Sequence, residues 1–360
     1  MTASAPDARP DLLGETRDRL AAALLPIVGK RFRVHQVYDA MHQRAAAEFA
    51  EMTELAKPLR SELAERFRIG VPEIEERRVS TDGTRKYLLK LADGASVEAV
   101  DIPDRDRHTL CISSQAGCAL ACRFCVTGFW GAGRSLTAGE IVGQVQAIRR
   151  DDDPPLGESL NLVFMGMGEP LLNLEGIEPA IAILSESISL RRITVSTAGV
   201  IPGIERLAAW ERRPNLAVSL HAPDDARRSD LMPVNKSYPL ADLIKVLRKY
   251  PLERGRRITF EYILIAGFND APADADALAQ LLRGMSAKIN LIPANPDAVL
   301  GDRMVPPPPQ TVAAFQQRLL DHGYTTTVRK RRGDDVSAAC GQLRAFARQP
   351  RGFRRSNLSF

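Results

Sequence analysis

Cys118, Cys122 and Cys125 fall in the spacing C-x-x-x-C-x-x-C, inside the stretch CISSQAGCALACRFCVTGFW. Cys111 stands seven residues before them, and Cys340, the last of the five cysteines, is more than two hundred residues away. Thiolates ligate soft metals, attack electrophiles and exchange disulfides, so a group of four points to chemistry at one place. Three cysteines in one short loop can hold three irons of a 4Fe-4S cluster and leave the fourth iron open to a cofactor or substrate. The competing use is a structural zinc site, for which Cys111 is available as a fourth ligand. Phe124, directly before the last cysteine, and the position of the loop after a strand favour the cluster.

The composition narrows the setting of that chemistry. The chain has 360 residues, 44% hydrophobic and 26% charged, enough for a full core in a water-soluble protein. The start, MTASAPDARPDLLGETRDRL, lacks the apolar core of a secretory signal. No apolar run reaches the ~18 residues of a membrane span. A cytoplasmic location is therefore expected, where clustered cysteines serve metals or catalysis before disulfides. Net charge is +5, yet residues 329–355 carry nine basic and two acidic side chains. Such a run is either a solvated tail or a phosphate-contacting surface, and Cys340 inside it favours the second.

The elements that must position these residues follow an ordered pattern. ETRDRLAAALL, RVHQVYDAMHQR and LAKPLRSELAERF carry apolar residues at helical spacing. They define a helical domain over residues 1–80, its first ~10 residues expected to be disordered. RKYLLKLADGASVEAVDIP then reads as a β-hairpin extension, residues 81–106. Over residues 107–328, β-rich runs at HTLCISSQ, LNLVFMG, RITVST, LAVSLH, ITFEYILI and KINLIP alternate with amphipathic stretches. That alternation predicts an α/β fold, a partial (β/α)6 barrel, with YTTTVRK as a further strand and residues 329–360 as a basic C-terminal segment. In such barrels the site lies at the C-terminal strand ends. Here those ends are the cysteine loop, GMGEP, STAG, SLHAP and IPANP.

The cysteine triplet with Phe124 resembles the radical S-adenosylmethionine (SAM) superfamily, and GMGEP resembles that superfamily's motif for the SAM amino group. More narrowly, QAGCALACRFC, FMGMGEPLLN, VSTAGVIPGI, SLHAP, KINLIPANP and RKRRGDDVSAACGQL together resemble the RlmN family, which methylates C2 of adenine in 23S rRNA and tRNA. The resemblance spans nearly the whole chain.

It implies two cofactors, a 4Fe-4S cluster on Cys118, Cys122 and Cys125, and SAM held by Gly168, Glu169, Ser196, Ser219, Leu220, His221 and Asn295. It implies that Cys340 receives a methyl group from one SAM and that a second SAM supplies the radical that activates this methyl. The methylene then adds to adenine. Glu98 is implied as the proton acceptor, and Cys111 as the thiol that attacks Cys340, releasing the product and leaving a disulfide. By their own sequence context, Glu98 is a solvated strand residue, His221 a core histidine and Cys340 an inert buried thiol. The implied partners are the two RNAs and an electron donor such as flavodoxin or ferredoxin, with no membrane or DNA partner, for a monomeric enzyme. Two alternatives share these residues: a Cfr-like enzyme acting at C8 of adenine, and a non-catalytic RNA-binding protein with structural zinc.

Overall fold

Ten strands hydrogen-bond in sequence order into one sheet in the computed structural model, which describes residues 7–105, 107–151, 159–297, 299–300, 304–339 and 341–343. The first four, β1 (Glu73–Val79), β2 (Arg85–Lys90), β3 (Ser96–Asp104) and β4 (Arg107–Cys111), are antiparallel. From β4 onward every pairing is parallel: β5 (Ser159–Phe164), β6 (Ile193–Thr197), β7 (Asn215–Ser219), β8 (Ile258–Leu264), β9 (Ala287–Pro293) and β10 (Thr325–Val328). Parallel neighbours need crossovers, and the amphipathic stretches supply them as helices. The expected α/β barrel of six parallel strands is thus β4–β9. The further strand candidate YTTTVRK is β10, which adds a seventh parallel strand beside β9.

The sheet's helical layer shows why these segments turn. In α5 (Ala138–Asp151) Thr137 and Glu140 form a reciprocal cap. The Thr137 N–H donates to Glu140 Oε2 at 2.9 Å, and the Glu140 N–H donates to Thr137 Oγ1 at 3.2 Å. Ile141, Val142, Val145 and Ile148 then face the core. The remaining crossover helices include α6 (Leu174–Leu184), α7 (Ile201–Ala208), α8 (Asp225–Leu231), α9 (Leu240–Lys249), α10 (Pro272–Leu281) and α11 (Pro309–Asp321). No helix among the described residues is long and apolar enough to cross a membrane.

Three helices precede the sheet: α1 (Arg17–Val28), α2 (Arg31–His42) and α3 (Lys57–Arg66), as their spacing predicts, and a short α4 (Val126–Trp130) follows the cysteine loop. Residues 1–6, part of the stretch expected to be disordered, lie outside the described residues, whereas the Pro10 carbonyl accepts the Arg68 N–H at 3.0 Å. Strand β1 is a difference from the sequence reading, which gave residues up to 80 to the helical domain. Five of its seven residues, EIEERRV, are charged, so no apolar alternation marks it. It is the sheet's edge, where charge discourages pairing with another chain.

His42 is buried at the end of α2, its ring 4.3 Å from Tyr38, and neither ring nitrogen has a hydrogen-bond partner among the described residues. Burial pulls its pKa from 6.5 down to about 4, with Arg17 adding to the effect. Between those values the unfolded chain binds the proton and the folded one does not. Stability is therefore full above pH 6.5 and falls by up to roughly 3 kcal/mol as pH drops to about 4. His42→Phe is expected to flatten this part of the profile. Unfolding midpoints of both chains between pH 4 and 7 check it, and parallel profiles would refute it.

Candidate active site

One cavity opens at the C-terminal ends of the parallel strands. Its wall includes Cys118, Cys122 and Cys125 from the loop after β4, Gly168 and Glu169 after β5, and Ser196 of β6. Ser219 at the end of β7, His221 after it and Asn295 after β9 complete the set. These sequence candidates come from five strand ends yet share one space. Leu220 does not line it: its side chain is fully buried, its N–H donates to the Glu261 carbonyl at 3.0 Å, and its carbonyl accepts from Arg228.

The backbone approaches very closely behind this wall. Gly168 has φ +97°, and a Cβ there would lie 2.5 Å from the Gln115 Cβ, so only glycine fits. The next residue, Glu169, is buried. Its Oε1 accepts the Leu171 N–H at 3.0 Å and its Oε2 the Ala198 N–H at 2.7 Å. Burial raises its pKa to about 7, against the opposing pull of the Ala198 N–H. His221 adopts φ +62° and packs edge-on against Phe124, centroids 4.5 Å apart. Its Nδ1 accepts the Ile263 N–H at 3.0 Å, which leaves the ring proton on Nε2 as a donor. Burial, reinforced by Arg228, lowers its pKa to about 3, so the ring is neutral in ordinary buffers.

The three thiols fit an iron–sulfur cluster. Burial pushes the Cys118 thiol up to about 12, with Cys125 adding to the shift, and raises Cys122 well above its ordinary value, with Cys118 and Cys125 adding. The neighbouring sulfurs therefore reinforce the effect of burial, and only a bound cation would hold Cys118 and Cys122 ionised. Among the described residues, no three His, Cys, Asp or Glu side chains are grouped as a single metal ion requires. Cys111, the candidate fourth zinc ligand, lines a different groove. Three thiols from one loop in the cavity wall are the donor type and number that a four-iron cluster takes, so the donor set suits it.

That second groove shares Met165, Ile292, Asn295, Arg329, Gly341 and Leu343 with the first cavity. Its wall carries Cys111 and a row of cations, Arg105, Arg107, Arg329, Lys330, Arg331 and Arg332. Cys340, the proposed methyl carrier, lies outside the described residues, as does the basic stretch from residue 344 onward. Its neighbours Ala339 and Gly341, however, line the groove with Cys111. Glu98 lines neither space. It is buried on β3, its carboxylate 2.9 Å from Lys86 Nζ, so it is not the solvated strand residue its sequence context suggests.

Arg228 of α8 has no counterpart among the sequence candidates. It is fully buried, and its guanidinium donates to the carbonyls of Ala198 (2.7 Å), Ser219 (3.1 Å) and Leu220 (3.2 Å) and to Asn235 Oδ1 (2.6 Å). Burial pulls its pKa down to about 10, so it remains a cation at neutral pH. It ties together the loop after β6 and the end of β7, both of which carry cavity residues. Arg228→Met would leave those carbonyls buried without a donor, an expected loss of roughly 3 kcal/mol. The thermal midpoint should drop by several degrees, and an unchanged midpoint would show that the network carries no such load.

Comparison with known proteins agrees with this architecture. Residues 112–279 match the model of the Radical SAM superfamily. Residues 10–69 match the Ribosomal RNA large subunit methyltransferase N-terminal domain. The chain is 47% identical over 338 residues to a dual-specificity RNA methyltransferase RlmN of Halorhodospira halophila, covering 92% of this chain and 93% of the relative. The RlmN of Geobacter sulfurreducens is 48% identical, over 93% of this chain and 92% of the relative. The crystal structure of a radical SAM methyltransferase from Sphaerobacter thermophilus superposes with a TM-score of 0.87 at 42% identity, covering 93% of this chain and 99% of that one. With this coverage, two matching family models and strand-end residues that share one cavity, the chain belongs to the RlmN family of radical SAM RNA methyltransferases.

Proposed function

We propose that the enzyme methylates C2 of adenine in 23S rRNA and tRNA, through a methyl group carried on Cys340. The observation that supports this most is the shared wall: the three-cysteine cavity opens directly into a basic groove that holds Cys111 and both neighbours of Cys340. C2 of adenine is not nucleophilic, so displacement from a sulfonium cannot methylate it. When bound, the cluster and SAM supply the methyl group and the one-electron chemistry that overcome this.

The chain's own residues do the rest. Cys118, Cys122 and Cys125 would hold the cluster. Glu169, poised near neutrality, would be fixed as a carboxylate by the ammonium of SAM, while Gly168, Ser196, Ser219, His221 and Asn295 would form the surrounding contacts and Leu220, buried behind them, would only hold the loop in place. The cationic groove would receive RNA phosphates, and the target base must leave its stack to enter. Cys340 would carry the methyl carbon and bond to C2 through it. Glu98 would accept the C2 proton, and Cys111 would attack the Cys340 sulfur, forming a disulfide as the electron pair of the carbon–sulfur bond passes to the carbon, which takes up a proton to complete the methyl group. An external thiol reductant would then reopen the disulfide. Electrons would come from a small carrier such as flavodoxin or ferredoxin, to an enzyme acting as a monomer in the cytoplasm.

Anaerobic incubation with SAM, a reductant and each RNA, followed by nucleoside mass spectrometry, tests this. 2-Methyladenosine is expected. 8-Methyladenosine would assign the Cfr-like reaction instead. A colourless protein that binds RNA without modifying it would assign the zinc-containing binder.

A further inference from the structure

Outside the cavity wall, the turn between β1 and β2 grips the segment that leads to Cys340. Asp335 Oδ1 accepts the Ser80 hydroxyl at 2.5 Å, and its Oδ2 accepts the Thr81 N–H at 3.1 Å. In return, Asp82 Oδ2 accepts the Gly333 N–H at 3.0 Å. Gly333 has φ +64°, and a Cβ there would lie 2.9 Å from Thr84 Cγ2, so the segment lies flat against the turn. Two residues further along, Lys86 Nζ donates to the Ser337 carbonyl at 3.0 Å while it pairs with Glu98 at 2.9 Å. One short stretch of chain, residues 80–86, therefore holds both the approach to Cys340 and the proposed proton acceptor.

The far side of Cys340 is held by a different element. The Gly341 carbonyl accepts the Val126 N–H at 2.6 Å, and the Leu343 carbonyl accepts the Thr127 hydroxyl at 3.1 Å. Both donors directly follow Cys125. A Cβ at Gly341 would lie 2.5 Å from the Phe124 carbonyl, so here too the backbone approaches closely. The two flanks differ in kind: the cluster loop holds one, and an accessory hairpin holds the other.

We propose that the β1–β2 turn is a dock for residues 333–337, and that docking sets where the cysteine at 340 can reach. The second half of this rests on the proposed role of Cys340. The dock consists of a few hydrogen bonds on a partly exposed surface, so it can be released without unfolding the barrel. Ser80, Asp82, Lys86 and Asp335 act as positioning residues.

The test uses the full-length chain with its cluster, as Asp335→Ala, Asp82→Ala and the conservative Asp335→Asn, which retains an acceptor for Ser80. Hydrogen exchange, read by mass spectrometry, should speed up by about tenfold in a peptide spanning 329–339 of both alanine variants, and less in Asp335→Asn. A peptide spanning 112–130 should exchange as in the parent, which controls for general loosening. Unchanged exchange at 329–339 overturns the dock, whatever the chain does to RNA. The second readout is the ratio of 5'-deoxyadenosine released to adenine methylated. It should rise at least about threefold in the alanine variants, because an undocked carrier wastes SAM cleavage, and Asp335→Asn should recover part of the coupling. Faster exchange with an unchanged ratio keeps the dock but overturns its positioning role. A parent that methylates no RNA overturns the role of Cys340, and the positioning claim with it, while exchange still decides the dock.

Discussion

Changing any one of Cys118, Cys122 and Cys125 to alanine is expected to remove iron, sulfide and reductive SAM cleavage together. Three thiolates are the fewest that hold a four-iron cluster while leaving one iron for SAM, so none is spare. The sulfurs are also not interchangeable with a neighbour. Cys111 lines the adjoining groove, and among the described residues the carboxylate and imidazole groups of the cavity wall are Glu169, His221 and Glu261, each already hydrogen-bonded. Iron should fall from about four per chain to well under one. The brown colour near 400 nm should disappear, and 5'-deoxyadenosine formation should fall by roughly a thousandfold or more. Cys111→Ala, prepared in parallel, should keep its colour, which separates ligand loss from general damage by cysteine removal. A single variant of the three with full iron content and SAM cleavage would sink the ligand assignment.

The triplet was legible in the sequence because its residue type and close spacing stand out in a chain with only five cysteines. The strands β4–β9 were legible because apolar runs and amphipathic stretches alternate, and a parallel sheet needs both. Part of what the sequence hid is charge used against its usual preference for water. Arg228, in DARRSDL, reads as one more solvated cation on a helix, yet it is fully buried among carbonyl groups. Lys86 and Glu98 alternate with apolar neighbours on paired strands, which conventionally places both in solvent. They are buried because each neutralises the other. Arg105 and Arg107 belong to no basic run and join the cationic groove only because β4 lies beside the tail segment. Strand β1 was missed for the opposite reason: as an edge strand it needs few apolar residues. Long-range partners decide all these cases, and periodicity within a segment carries no information about them.

The two cysteines that ligate nothing should fail in different ways. Cys340→Ala is expected to keep its cluster, because the ligands are elsewhere, and to lose RNA methylation completely. The peptide containing Cys340 in the parent should carry the mass of one extra methyl group, and the variant should not. Cys111→Ala retains the carrier, so it can still accept the methyl group and bond to adenine. It lacks the thiol that attacks the Cys340 sulfur and releases the base. Its position fits this division in physical terms: Cys111 ends β4, buried in the groove wall, and Ala338, Ala339 and Gly341 line the same groove. The adduct should therefore accumulate as a protein–RNA complex that survives denaturing gels and collapses to free protein with RNase. The double variant should form none, since nothing carries the carbon. Trapping by Cys111→Ala alone, with loss of trapping when Cys340 is also removed, orders the two thiols in one sequence of steps. If neither single variant traps RNA and Cys340→Ala still methylates, the two-cysteine route is wrong for this enzyme. The three-cysteine cluster would then have to serve some other radical reaction.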